Sequence, residues 1–279
     1  MWVFYNGEII LQDKVSISPF DRGFQFSDGV YEVIKYYPKK FFELEAHIAR
    51  LKNSLNSLEI PIPSLDNIKQ ILEELITRND LENSPANVYI QISRGYQFPR
   101  RHNFSPDAKP TFFITVEKFL SREKEKTNGV KVGLEEDIRW HRCDIKSTSL
   151  IPNVLSKHRA EENGLSEMIW HRQGNITEGT HSNICFIKKN QLFTPPLSNF
   201  ILPGITRKVV LTLCSQFDIP VNETEININE LKEFDEAMIL GTVTEITPVI
   251  NFEGSDTNLT KPGPICKLLQ REYKKLCYE

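Results

Sequence analysis

From Leu44 the apolar residues Leu44, Ile48, Leu51, Leu55 and Leu58 recur at steps of four, three, four and three, which is one continuous stripe along a helix. His47 and Arg50, three apart, share one flank of it. A second helix is predicted over 64–79 on Leu65, Ile68, Ile71, Leu72 and Leu75. Ahead of both, residues 2–10 read as two short strands joined at Asn6-Gly7, a dipeptide that supplies the positive φ angles of a tight hairpin. Val30 to Tyr36 alternates, so Tyr31 and Glu32 point to opposite faces of a strand, and Pro38-Lys39-Lys40 turns it toward Phe41 and Phe42. Strands follow at 88–93 and 111–118, then near 130–134, 166–171, 183–188 and 236–240, with helices near 153–163, 206–217 and 262–277. The pattern predicts an α+β (mixed α/β) fold: a small N-terminal α/β domain over 1–120 and a larger, β-rich C-terminal domain with flanking helices over 121–279. Ser121 to Gly129, SREKEKTNG, is densely charged and free of apolar residues, which suits the linker between them.

The chain has 279 residues, 39% of them hydrophobic and 25% charged, a globular composition long enough for two cores. Its net charge of -3 comes from 34 basic and 37 acidic residues interspersed along the chain, so no polyanion-binding surface is expected and nucleic acid is not a predicted partner. The longest uncharged stretch, Asn190 to Thr206, is interrupted by Pro195, Pro196 and Pro203, and no membrane span is expected. The N-terminus has no secretory pattern, which points to the cytoplasm. Five scattered cysteines without a CxxC pair read as free thiols, with no metal site.

Four features could carry chemistry. Leu202-Pro203-Gly204-Ile205-Thr206 enters a helix where free backbone N–H groups and a hydroxyl suit a phosphate dianion, or simply begin an ordinary capped helix. Gly241-Thr242-Val243-Thr244 follows a buried-looking strand and offers a second hydroxyl-rich turn. Lys146, in Asp144-Ile145-Lys146-Ser147 after a strand-like Ile138 to Arg142, is either a surface amine or one able to lose its proton and attack a carbonyl. Thr177-Glu178-Gly179-Thr180 either presents a carboxylate for chemistry at a tight turn or is simply a solvated turn.

Taken in order, Asp21-Arg22-Gly23-Phe24-Gln25-Phe26-Ser27-Asp28-Gly29-Val30-Tyr31-Glu32-Val33, Glu136-Asp137-Ile138-Arg139-Trp140, Arg142-Cys143-Asp144-Ile145-Lys146-Ser147, Thr177-Glu178-Gly179, Gly204-Ile205-Thr206-Arg207 and Thr244-Glu245-Ile246-Thr247-Pro248-Val249 form a familiar series. The chain resembles the bacterial D-amino-acid (D-alanine) aminotransferases, class IV aminotransferases of fold-type IV that use pyridoxal 5'-phosphate. The resemblance implies that Lys146 is the amine that condenses with the cofactor aldehyde and then carries the α-proton. It implies that Glu178 faces the pyridine nitrogen, and that Arg50, Ile205, Thr206 and Thr242 hold the phosphate. Tyr31, Arg100 and His102 match the trap for the substrate α-carboxylate, Arg100 and His102 reaching in from the other subunit of a homodimer. Glu32, His47, Trp140 and Leu202 are implied as supporting residues; for His47 and Trp140, core packing is the alternative.

The implied substrates are D-amino acids and 2-oxo acids: D-alanine and 2-oxoglutarate give pyruvate and D-glutamate in two half-reactions, a supply of D-amino acids for the cell wall. Pro99-Arg100-Arg101-His102 argues for the D-amino-acid branch against a branched-chain L-aminotransferase. A lyase acting on aminodeoxychorismate would keep the lysine and need no acceptor, and a non-catalytic pyridoxal phosphate-binding protein would not need the full set of Lys146, Glu178 and Arg50. Ser27 in place of the usual glycine, Pro203, and Thr180-His181-Ser182 in place of a run of serines leave the substrate range open.

Overall fold

The computed structural model describes residues 1–257 and 259–278. The chain divides into two compact units, Met1–Leu120 with Ile145–Ser149, and Ser121–Asp144 with Leu150–Glu279. The segment carrying Lys146 therefore belongs to the first unit, although it lies beyond residue 121, where an uninterrupted second domain was expected to begin.

In the first unit, β1 (Trp2–Tyr5) and β2 (Glu8–Leu11) form the expected hairpin, with Tyr5 opposite Glu8 and positive φ at Asn6 and Gly7. After a one-turn helix, α1 (Arg22–Phe26), come β3 (Gly29–Tyr37), β4 (Lys40–Phe41), α2 (Leu44–Ser57), α3 (Ile68–Arg78), β5 (Ala86–Ser93) and β6 (Thr111–Lys118). The six strands lie in the order β2-β1-β6-β5-β3-β4. β3 and β5 are paired antiparallel from Gly29 opposite Ser93 to Tyr36 opposite Ala86. Val30, Ile34 and Tyr36 of β3 enter one core with Leu51 and Leu55 of α2 and Leu72 and Leu75 of α3, as the four-three stripe requires. α3 begins at Ile68, four residues later than its apolar pattern suggested.

The second unit contains α4 (Glu123–Asn128), β7 (Val130–Glu136), α5 (Ile151–Glu162), β8 (Glu167–Arg172), β9 (Asn175–Gly179), β10 (Asn183–Lys188), β11 (Gln191–Thr194), α6 (Ile205–Gln216), β12 (Val221–Glu223), β13 (Glu236–Gly241), β14 (Glu245–Phe252) and α7 (Pro264–Tyr278). Its eight strands run β12-β11-β10-β13-β14-β7-β8-β9. Phe186, Ile239, Val249 and Phe252 form the centre of its core. The charged stretch expected as an open linker is helical over α4. Lys126 bonds Glu123 within the helix at 2.6 Å and Glu245 of β14 at 2.8 Å, so this charge docks the helix on the sheet. Among the described residues no helix is long and apolar enough to cross a membrane, and no group of His, Cys, Asp and Glu could hold a metal ion.

Leu51 is fully buried while its neighbour Lys52 is exposed. Leu51→Ala should cost roughly 2–5 kcal/mol in a denaturation experiment and Lys52→Ala less than about 0.5 kcal/mol. Equal losses would mean that the stripe does not face the core.

Candidate active site

β3 carries a carboxylate on its core face. Glu32 is fully buried and accepts from His47 Nδ1 at 2.8 Å, Arg50 Nε at 2.7 Å and Arg50 Nη2 at 2.9 Å. Burial by itself would raise its pKa, but Arg50 and His47 outweigh burial and hold the carboxyl at about 2. Burial lowers the His47 pKa, against the pull of Glu32, so the imidazole is neutral and carries its proton on Nδ1, where an ionised carboxylate accepts it. The opposite face of β3 presents Tyr31. Its amide donates to the Lys146 carbonyl at 3.0 Å, Val30 bridges Ser147, and the Lys146 amide donates to Ser54 Oγ of α2 at 3.2 Å. These bonds hold the Lys146 ammonium 4.3 Å from the centre of the Tyr31 ring. Tyr31, Glu32, His47, Arg50 and Lys146 thus come together in the first unit. Arg100 and His102 lie in the same unit, both exposed, and each lies against the Phe26 ring, Arg100 at 4.2 Å and His102 at 5.5 Å from its centre.

In the second unit Glu178 lies on β9, not at the tight turn its Gly179 neighbour suggested. Its carboxylate accepts from Arg139 Nη1 at 2.7 Å, the Leu202 amide at 3.0 Å and Asn183 Nδ2 at 3.1 Å. Asn183 also donates to the Leu202 carbonyl, tying Glu178 to the segment that enters α6. Gly204 completes that approach: a Cβ there would stand 1.8 Å from Asn183 Oδ1 and would displace the amide that bonds Glu178. Ile205 and Thr206 are buried in the first turn of α6, which has no side-chain cap. Asn183 pairs with Leu240, so the turn holding Thr242 follows the neighbouring strand, and the buried Thr244 hydroxyl in that turn has no hydrogen-bond partner. Residues 138–142 are irregular where a strand was expected, because the Arg139 amide and guanidinium turn back onto the Asp137 carboxylate at 2.9–3.0 Å. Trp140 is 48% exposed, which does not fit core packing.

Burial raises the Glu178 pKa to about 7, against the attraction of Arg139, which divides its guanidinium between Glu178 and Asp137. Arg139 and Asn183 have no role in the motif reading. Their contacts with Glu178 span 39 and 5 residues, and only the Glu136-to-Trp140 string hinted at the first. A phosphate-bearing pyridine, the group that the resemblance implies, fits this donor set. The uncapped start of α6 and the orphan Thr244 hydroxyl suit an anion, and Glu178 is a carboxylate that already favours sharing a proton.

The family model for amino-transferase class IV matches residues 29–252. The D-alanine aminotransferase of Staphylococcus haemolyticus is 36% identical over 275 residues, 98% of this chain and 96% of that one. The enzyme of the same name from Bacillus licheniformis is 37% identical over 271 residues, 97% and 95% of the two chains. Among solved structures, the branched-chain amino acid aminotransferase of Escherichia coli has a TM-score of 0.88 at 24% identity, covering 99% of this chain and 93% of its own. A hypothetical aminotransferase from Mycobacterium tuberculosis, in a PLP-bound form, has a TM-score of 0.87 at 19% identity, covering 100% and 99%. At these identities the structures establish the shared fold.

A carboxyl whose pKa is raised on folding contributes stability that is complete below its unfolded value, 4.5, and is lost as pH rises through about 7. Glu178→Gln removes that dependence. Thermal denaturation of the cofactor-free proteins should therefore show the variant gaining on the wild type between about pH 5 and pH 8, by on the order of 3 kcal/mol. A stability difference that does not vary over this range would contradict the raised pKa.

Proposed function

Since the chain belongs to the class IV aminotransferases and is a pyridoxal phosphate-dependent aminotransferase, we propose that it moves the amino group of D-alanine and related D-amino acids to 2-oxoglutarate. The products are pyruvate and D-glutamate, formed in two half-reactions by a cytoplasmic homodimer. The observation that best supports this substrate class is the pair of exposed groups, Arg100 and His102, presented together around Phe26. A guanidinium beside an imidazole is suited to gripping a carboxylate bidentately.

Bound pyridoxal phosphate supplies an aldehyde that takes up the amino group and a ring that withdraws electrons. The residues around it do the rest. Ile205 and Thr206 offer backbone donors, Thr206 and Thr242 hydroxyls, and Arg50 charge to the phosphate. Glu178 holds a proton at the pyridine nitrogen, and Arg139 favours the ionised carboxylate that does so. Lys146, once its amine is neutral, takes the α-proton and returns it on the other side of the transfer. Tyr31 lies beneath Lys146, while Glu32 and His47 fix Arg50 from the far side of the strand. Arg100 and His102 of the other subunit, with Tyr31, hold the α-carboxylate, and the end of the site that grips it decides which enantiomer presents its hydrogen to Lys146.

D-alanine with 2-oxoglutarate should give continuous pyruvate and D-glutamate, D-alanine alone about one equivalent of pyruvate per site, and L-leucine little turnover. Faster reaction of L-leucine would favour the branched-chain alternative. Release of pyruvate from aminodeoxychorismate without an oxo acid would favour the lyase.

Arg100→Ala and Lys146→Ala homodimers should both be nearly inactive. A mixed dimer of the two carries one site with both residues intact, and random co-assembly should restore up to about a quarter of wild-type activity, since about half the dimers are mixed. Purified mixed dimers as inactive as their parents would show that Arg100 does not serve the neighbouring site.

A further inference from the structure

The loop that presents Arg100 and His102 has no regular structure, yet its backbone is anchored at successive carbonyls by one buried side chain. Arg22 of α1 is 5% exposed. Its Nη1 donates to the Arg101 carbonyl at 2.7 Å and the Asn103 carbonyl at 3.4 Å, and its Nη2 to the His102 carbonyl at 3.1 Å. Its Nε donates to Asp28 at 2.8 Å, which fixes the guanidinium plane. Asp28 also accepts from Arg94 Nε at 2.8 Å and Nη2 at 3.0 Å, and burial of its carboxyl is outweighed by the two arginines, so it stays ionised. Arg94 reaches the Leu58 and Glu59 carbonyls just after α2, and its guanidinium lies 3.7 Å from the Phe104 ring, pinning the far end of the loop. The Arg22 guanidinium further touches Phe26 at 4.7 Å, the ring that Arg100 and His102 also contact.

We infer that Arg22, held by Asp28, is the positioning residue that orients Arg100 and His102 for the substrate α-carboxylate. This rests on the substrate reading above. Exposed loop side chains normally sample many rotamers and their backbone moves with them. A carboxylate trap delivered to another subunit cannot be ordered by its own active site, so its order must come from behind. Arg22 supplies that order because a planar guanidinium can bond a carboxylate along one edge and three peptide carbonyls along the others, whereas an ammonium cannot span them. Phe26 acts with it as a flat platform for both arms. Neither residue touches substrate. Their effect is on where Arg100 and His102 stand, and displacement of such groups by about 1 Å costs on the order of 100-fold in kcat/KM.

The test is a double-mutant cycle on the holoenzyme, with Arg22→Lys, Arg100→Ala and the combined variant. Arg22→Lys should raise KM for D-alanine roughly 10- to 100-fold and leave kcat within about 3-fold, with unchanged cofactor content and absorption spectrum. In the Arg100→Ala background the same change should raise KM several-fold less than in the wild type, because only His102 is left for it to position. Phe26→Leu, which keeps apolar volume and removes the ring, should give the same pattern and serves in place of Arg22→Lys should that variant not fold. An unchanged KM in both Arg22→Lys and Phe26→Leu, or a full multiplicative effect in the Arg100→Ala background, would overturn the inference while leaving the substrate reading intact. An Arg100→Ala enzyme with wild-type KM would remove the substrate reading, and this inference with it.

Discussion

The hydrogen bond from the Tyr31 amide to the Lys146 carbonyl fixes the geometry on which the proposed chemistry depends. Residues 145–149 meet β3 through this bond and the Val30–Ser147 bridge, so Lys146 inherits the register of a strand deep in the first unit. That register is itself set by the antiparallel pairing of β3 with β5 from Gly29 to Tyr36. Because strand side chains alternate, a slip by one residue would exchange the faces: Tyr31 would leave Lys146, and the Glu32 carboxylate would leave its partners on α2. The core and the site are therefore specified by the same period of two. Val30 and Ile34 anchor the apolar face, and Glu32 between them is tolerated only because His47 and Arg50 reach it from α2.

Two buried carboxylates reach opposite states by the balance of the same forces. Glu32 has Arg50 bound through two nitrogens and His47 through a third, and the sum exceeds the cost of burial. Glu178 receives one guanidinium nitrogen, an amide N–H and an asparagine, while its arginine is shared with Asp137, and burial prevails. A carboxylate kept permanently charged is a scaffold for cations. One balanced near neutrality is suited to sharing a proton with a ring nitrogen, and the difference is made by the number and charge of donors around each group.

The elements with long regular patterns were legible in the sequence: α2 from its apolar stripe, the β1–β2 hairpin from Asn6-Gly7, and the opposite facing of Tyr31 and Glu32 from alternation. What escaped was short or held by distant partners. α1 is five residues long, starts at an Asp21 cap on the Gly23 amide, and has no periodicity to reveal it. The irregular path of 138–142 follows from Arg139 folding back onto Asp137 and reaching Glu178, a contact across 39 residues that no local pattern encodes. Local pattern singled out Lys146 and Glu178 only as candidates with bland alternatives, and their roles came through resemblance, since one lysine or one glutamate is chemically indistinguishable from the next until its surroundings are known. The structure supplies those surroundings for Lys146 in Tyr31, Ser54 and the β3 backbone, and for Glu178 in Arg139, Asn183 and Leu202.

The claim that Lys146 is the reacting amine is the one on which the rest of the chemistry turns, and covalent trapping addresses it directly. Borohydride reduction of the holoenzyme followed by peptide mapping should place the phosphopyridoxyl label on the peptide containing Lys146, and Lys146→Ala should bind cofactor without acquiring the label. A label on any other lysine of the wild-type protein would contradict the account.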